Sequence, residues 1–226
     1  HIGYWAGDPY AAVSFRDWLR QRYYSVEDLN RAWQAGFNSF EQVEPFLPVT
    51  AAVERKRIDF ADWYMGAMSQ WCEKWAEWAR GAMPDTVIHQ SSGGWGPVEI
   101  GTDYTYQARS MARLKGGIRL TNESDNFPQN FAITRMASSA ARFYGARLGY
   151  EPGGFGSARG VVARLFNAAT NDGEHLFYYH SNLYGNDQAI EAWLKHAPLL
   201  DRRAKPLIDV AVFYPDTAIK LDDEAI

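Results

Sequence analysis

"ARLGYEPGGFGSARGVVARLFNAATNDGEHLFYYHSN", residues 146–182, decides how the whole chain is read. "ARLGYEPGG" reads as a strand running into a turn, "SARGVVARLFNAATNDG" as a helix closed by Gly173, and "EHLFYYHSN" as a second strand. Strand, helix, strand within one short stretch predicts a parallel crossover unit. The turn places a carboxylate in an unusual setting. Pro152 biases Glu151 to extended backbone and removes one N–H donor. Gly153 and Gly154 let the chain turn away and leave space around the carboxylate. The competing reading is an ordinary turn in which Glu151 pairs with Arg147 or Arg159.

The same alternation extends in both directions. "DTVIHQSS" (85–92) reads as a strand followed by the glycine-rich loop "GGWGP", and "DYTYQARSMARLK" (103–115) as a helix. "GIRLTNE" (117–123) reads as a strand, "NFAITRMASSAARFYG" (130–145) as a helix, and "DQAIEAWLKHAPLL" (187–200) as a helix ending near Pro198. "IDVAVFYPDT" (208–217) reads as a last strand. Strand ends near Ser91, Asn122, Glu151 and His180 lie 31, 29 and 29 residues apart. A barrel of eight β/α units repeats every 30 residues or so, and a doubly wound sheet gives similar intervals. Four strands make half of an eight-stranded barrel.

The N-terminal third is helical. "AAVSFRDWLRQRYY" (11–24) has apolar residues at helical spacing, and Ser25 with Asp28 forms a capping-box-like start for "VEDLNRAW". Residues 36–50, with Pro45 and Pro48, read as a loop. "IDFADWYMGAMSQWCEKWAEWARGAM" (58–83) reads as one long helix stopped by Gly81 and Pro84. Its stripe of Trp63, Ala67, Trp71, Trp75 and Trp78 is expected to be core. His1 falls inside what reads as a loop and "LDDEAI" follows a strand, so the expectation is a piece of a longer protein.

Composition excludes several classes. A net charge of −4 without a Lys/Arg run speaks against nucleic acid or an anionic membrane surface as partner. No run approaches the roughly 18 apolar residues of a membrane-spanning helix. Cys72 is the single cysteine, so no internal disulfide forms, and a buried thiol there fits reducing and oxidising compartments alike. No His/Cys/Asp group has metal-ligand spacing, and neither glycine-rich stretch has a phosphate-cradle pattern, so neither metal nor cofactor is expected. Aromatics make up 15% of the chain, with nine Trp and thirteen Tyr, enough both to fill a core and to stack on sugar rings.

In barrels the active site lies at the C-terminal strand ends. Those ends carry Asn122 with Glu123, then Glu151, then His180 with Asn182. Two carboxylates at one barrel mouth are what glycoside hydrolysis uses. Neighbouring strands lie about 4.8 Å apart, so Glu123 and Glu151 are able to approach the roughly 5–5.5 Å of a retaining pair. A helix cap or surface ion pair is the plainer role for either. Trp5, Trp95 and Tyr104, in or beside loops at the expected mouth, are candidates for stacking on a sugar, with loop packing as the alternative. Arg119 and Arg135 are expected as ion-pair partners of the carboxylates.

The chain resembles the later part of the catalytic barrel of glycoside hydrolase family 42, the β-galactosidase-type retaining enzymes. "FRDWLRQRYYSVEDLNRAWQAGFNSFEQVE" (15–44) resembles that family's segment after strand four; "LGYEPGG" with "ARGVVARLFNAATNDGEHLFYYHSN" resembles its nucleophile strand, the following helix and strand eight; "IDVAVFYPDT" resembles the opening of its next domain. Two places differ: "YYHSN" stands where the family usually shows a Trp-Arg pair, and "TNES" where it tends to have an Asp-containing turn. The resemblance implies an α/β fold: the C-terminal half of a (β/α)8 barrel over 1–204, about strands five to eight, with the start of a following α/β domain over 205–226. It implies Glu151 as nucleophile, an acid/base upstream of His1, and Glu123, one β/α unit from Glu151, as a substrate-binding residue. Asn122, His180, Asn182, Trp95, Tyr104 and Trp5, from their places at the strand ends and loops, are the other substrate-binding candidates. It also implies a carbohydrate substrate and a trimer. Glu123 as acid/base beside Glu151, and a carbohydrate-binding barrel without catalysis, are the alternatives.

Overall fold

A computed structural model describes residues 4–92, 98–120, 125–151, 157–176, 183, 185–201 and 206–221. The chain divides into two compact units, one of His1–Met68, Pro97–Gly101 and Val212–Ile226, the other of Ser69–Gly96 and Thr102–Ala211.

The first unit is helical. Helix α1 spans Pro9–Arg22; the Asp8 carboxylate accepts the Tyr10 and Ala11 N–H groups at 2.8 and 2.9 Å, and Pro9 stands where no donor is needed. Helix α2, Val26–Trp33, begins at Ser25, whose Oγ accepts the Asp28 N–H at 3.2 Å, the start that the Ser25/Asp28 pattern predicts. The loop after it holds two short 3-10 turns, Phe40–Gln42 and Pro48–Thr50. Helix α3 runs from Glu54 to Ala82. Phe15, Leu19, Leu29, Trp33, Phe60, Trp63 and Tyr64 interlock as this unit's core. Asp59 is fully buried beside it. Its oxygens accept from Arg22 Nε at 3.1 Å, Arg55 Nη2 at 2.6 Å, Trp33 Nε1 at 2.8 Å and the Tyr23 hydroxyl. A buried carboxylate is tolerated because every lone pair faces a donor.

The second unit is built on four parallel strands in sequence order: β1 His89–Ser92, β2 Gly117–Leu120, β3 Arg147–Tyr150 and β4 His175–Leu176. Helices α4 (Tyr104–Arg113), α5 (Phe127–Tyr144) and α6 (Ala158–Thr170) connect them, and α7 (Asp187–His196) follows β4. Ile118, Leu120, Leu148 and Tyr150 meet Ala108, Met111, Ile133, Ala137 and Ala141 in one cluster. Each large aliphatic side chain buried there contributes roughly 1.5–3 kcal/mol. Val161, Leu165 and Ala189 form a second cluster of this unit. Gly173 must be glycine, because a Cβ there would stand 2.6 Å from the Tyr150 ring. Backbone pairing extends beyond these spans: Gly117 donates to the Ile88 carbonyl at 2.9 Å and Glu151 to the Leu120 carbonyl at 2.7 Å.

Two expectations need correction. The tryptophan stripe of α3 is not continuous core: Trp63 is buried, whereas Trp71, Trp75 and Trp78 are 51, 60 and 57% exposed. Helical spacing puts residues on one face without saying what lies against it, and on this part of α3 it is Ala76 that joins the core. Cys72 is correspondingly half-buried rather than enclosed. Residues 208–215 pair with no strand among the described residues, and α8, Asp216–Lys220, follows. Val210, Val212 and Phe213 stay exposed there. A β-prone segment becomes a strand only when a partner supplies its hydrogen bonds.

Candidate active site

The alternation of a strand sorts the second unit's side chains into two layers. Ile118, Leu120, Leu148 and Tyr150 point to the helices. Ser91, Arg119 and Gly149 stand opposite one another in register, and by period two they occupy the other face. Glu151, two residues beyond Gly149, belongs to that same face.

Glu151 directly follows β3 and has only 5% of its surface exposed. Its Oε2 pairs with Arg119 Nη2. The register explains the reach. Directly opposite Arg119 stands Gly149, which has no side chain, so the guanidinium extends diagonally to the next residue on that face. The same Nη2 donates to Ser91 Oγ at 3.3 Å. Three successive strands therefore contribute one polar string, serine to arginine to carboxylate. The pairing with Arg147 or Arg159 considered from the sequence is not made: Arg147 reaches Glu174 at 3.3 Å, and Arg159 lies over the Phe127 ring at 5.7 Å. Arg135 packs over the Phe131 ring at 4.8 Å.

Buried Tyr150 lies on the helix side, where loss of water pushes its phenol well above the ordinary value. Tyr104, a candidate sugar contact, packs into the same hydrophobic cluster. Trp5 is 81% exposed, and its backbone N–H donates to the Tyr64 hydroxyl at 3.2 Å. Trp95, Asn122, Glu123, His180 and Asn182 lie outside the described residues. Among the described residues, no group of His, Cys, Asp and Glu is gathered to hold a metal ion.

Two roles escaped the sequence reading. Ser91 supports Arg119, a relation visible only once β1 and β2 are in register. Asp125 accepts the Ser157 N–H at 3.1 Å and so tethers the start of α6. A Cβ on Gly160 would fall 1.8 Å from the Asp125 carboxylate, so the carboxylate occupies space that only glycine leaves. Asn126 in turn caps α5 through the Gln129 N–H at 3.3 Å. The "SDN" of residues 124–126 offered a cap signal of the usual kind.

Residues 7–112 match the family model Glyco_hydro_42, described as β-galactosidase. No curated protein matches the chain. Among solved structures, the catalytic domain of β-amylase from Paenibacillus polymyxa is similar, with a TM-score of 0.71 at 16% identity. The match covers 89% of this chain and 56% of that one. The small parallel sheet with its helices is thus part of a barrel, and over residues 7–112 the chain is similar to glycoside hydrolase family 42.

Proposed function

We propose that the full-length protein is a retaining glycoside hydrolase that cleaves β-glycosidic bonds, galactosides among them, with Glu151 as nucleophile. The observation that carries this reading is the position of Glu151: a carboxylate at the C-terminal end of a barrel strand, on the face away from the helices, fixed by Arg119. In the first step a Glu151 oxygen attacks the anomeric carbon while the bond to the leaving oxygen breaks. A carboxylic acid upstream of His1 gives that oxygen its proton, then takes one from the water that releases the sugar. Arg119 holds the carboxylate on the side of the sheet from which the sugar is approached. Glu123, Asn122, His180 and Asn182 serve substrate binding in this reading. Residues 1–204 form the barrel segment, and a following domain starts at 205.

The test is covalent trapping. A 2-deoxy-2-fluoro-β-galactoside with a good leaving group, incubated with the full-length enzyme, should leave its mass on the peptide carrying Glu151. A label on Glu123, or a product whose anomeric configuration is inverted, overturns the mechanism. The low exposure and ion pairing of Glu151 also suit a carbohydrate-binding barrel without turnover. In that case sugars bind and no label forms at any carboxylate.

A further inference from the structure

On the helical side of the second unit, opposite the sheet face that carries Glu151, a cavity of about 520 Å³ lies between α3, α4 and α5. Glu73 of α3, Tyr106, Arg109, Ser110 and Arg113 of α4, and Tyr144 of α5 line it. The four α4 residues follow one another at steps of three and four, so one helix face presents them together. The Glu73 carboxylate has its partners. One oxygen accepts from the Tyr106 hydroxyl at 2.8 Å, and the other from Arg113, which also reaches Glu77 at 3.0 Å. Burial, and then the bond to Glu73, push the Tyr106 phenol upward, so its proton stays in that bond. The other donors in the cavity have no such acceptor. Arg109 lies over the Tyr106 ring at 4.9 Å, and among the described residues no hydrogen bond or ion pair holds its guanidinium. Ser110 is only 3% exposed, yet among the described residues its hydroxyl has no hydrogen-bond partner, and neither has that of Tyr144. A buried hydroxyl is ordinarily hydrogen-bonded.

We propose that this cavity binds a small oxyanion, a carboxylate or phosphate borne on a molecule of monosaccharide size. The unmatched groups are all donors, and the one carboxylate of the lining is engaged by Tyr106 and Arg113, so the missing partner is rich in acceptors. Two arginines against one glutamate leave the lining with an excess positive charge, which favours an anion. Stacking on Tyr106 fixes the plane of Arg109 and leaves its N–H edge open, the fork that meets a carboxylate or phosphate with two parallel bonds. Ser110 and Tyr144 add hydroxyl donors. A neutral sugar would leave Arg109 without a counter-charge. The volume is larger than a bare inorganic ion fills and falls within the roughly 300–1,000 Å³ of small-molecule sites. The site lies on the other side of the sheet from Glu151, and the inference is independent of whether the protein hydrolyses anything.

Isothermal titration of the full-length protein with galacturonate and with galactose 6-phosphate tests it. At least one of the two should bind saturably at a single site, and which one binds tells carboxylate from phosphate. Arg109→Met should weaken that binding about tenfold or more, with an unchanged melting curve. Ser110→Ala should weaken it in the same direction, and Arg109→Lys should keep part of it. Arg142→Met, an exposed arginine of α5 outside the cavity, should bind as wild type does. Excess neutral galactose should not displace the anion. Saturable heat from neither anion overturns the proposal. So does an affinity unchanged in Arg109→Met, an equal loss in Arg142→Met, or displacement by galactose, which would put the anion in a sugar site instead.

Discussion

Arg119 Nη2 meets Glu151 Oε2 diagonally across β2 and β3, over a glycine that leaves the path clear. The arginine is about one-third exposed and the carboxylate nearly enclosed. The glutamate is therefore the partner that depends on the pair. Deprived of its cation it would remain in a poorly hydrated place.

Glu151→Gln should abolish turnover by the full-length enzyme while leaving the fold intact. The amide keeps the shape and loses the charge that faces the oxocarbenium-like transition state. The expected loss in kcat is about 10⁴-fold or more, roughly 5 kcal/mol at the transition state. Retention of more than about a tenth of kcat, measured with an unchanged melting curve, removes Glu151 from the chemistry.

Arg119→Met should lower kcat by about 10²- to 10³-fold, roughly 2.7–4 kcal/mol, with a smaller change in KM. Arg119→Lys should restore part of it, because an ammonium keeps the charge without the planar fork that spans Ser91 and Glu151. A purely structural pair gives another pattern: the melting temperature falls, and kcat per folded molecule is preserved.

Glu123→Gln separates the two carboxylates. As a binding residue it should raise KM or cut kcat/KM by about 10- to 100-fold, roughly 1.4–2.7 kcal/mol. Azide should not rescue this variant. Restoration of turnover by azide would make Glu123 the acid/base.

Asp59→Ala should destabilise the helical unit by about 3 kcal/mol, read as a lower denaturation midpoint. Two arginines, a tyrosine hydroxyl and the Trp33 indole lose a common acceptor. Arg22 and Arg55, each 39% exposed, recover water and so limit the loss. The buried indole N–H does not.

Tyr4 links stability to alkaline pH. Burial, then the nearby Glu99 charge, push its phenol from 10.0 up to about 12. The folded state holds this proton more tightly than the unfolded chain. The stabilisation is thus fully present below pH 10.0 and is lost as pH rises toward about 12. Tyr4→Phe should flatten the fall in unfolding free energy across that window. A fall as steep as wild type would mean that Tyr4 does not carry it.

Much of this protein is written locally. Ser25 and Asp28 fix the start of α2 because a cap involves residues three apart. The alternation of strands and helices fixes parallel pairing because a crossover helix returns the chain to the same end of the sheet. Pro152 beside Glu151 marks a strand end, since the ring restrains the residue before it. Other features depend on which elements become neighbours. The three-and-four spacing of α3 places Trp63, Trp71, Trp75 and Trp78 along a helix, yet only Trp63 has a core against it. "IDVAVFY" has strand composition and pairs with nothing described, since a ladder needs a second chain segment. Arg119 was an expected partner for a carboxylate. That it chooses Glu151, with Ser91 behind it and Gly149 between, follows from a register three strands wide, and sequence spacing carries no record of register between segments 28 residues apart.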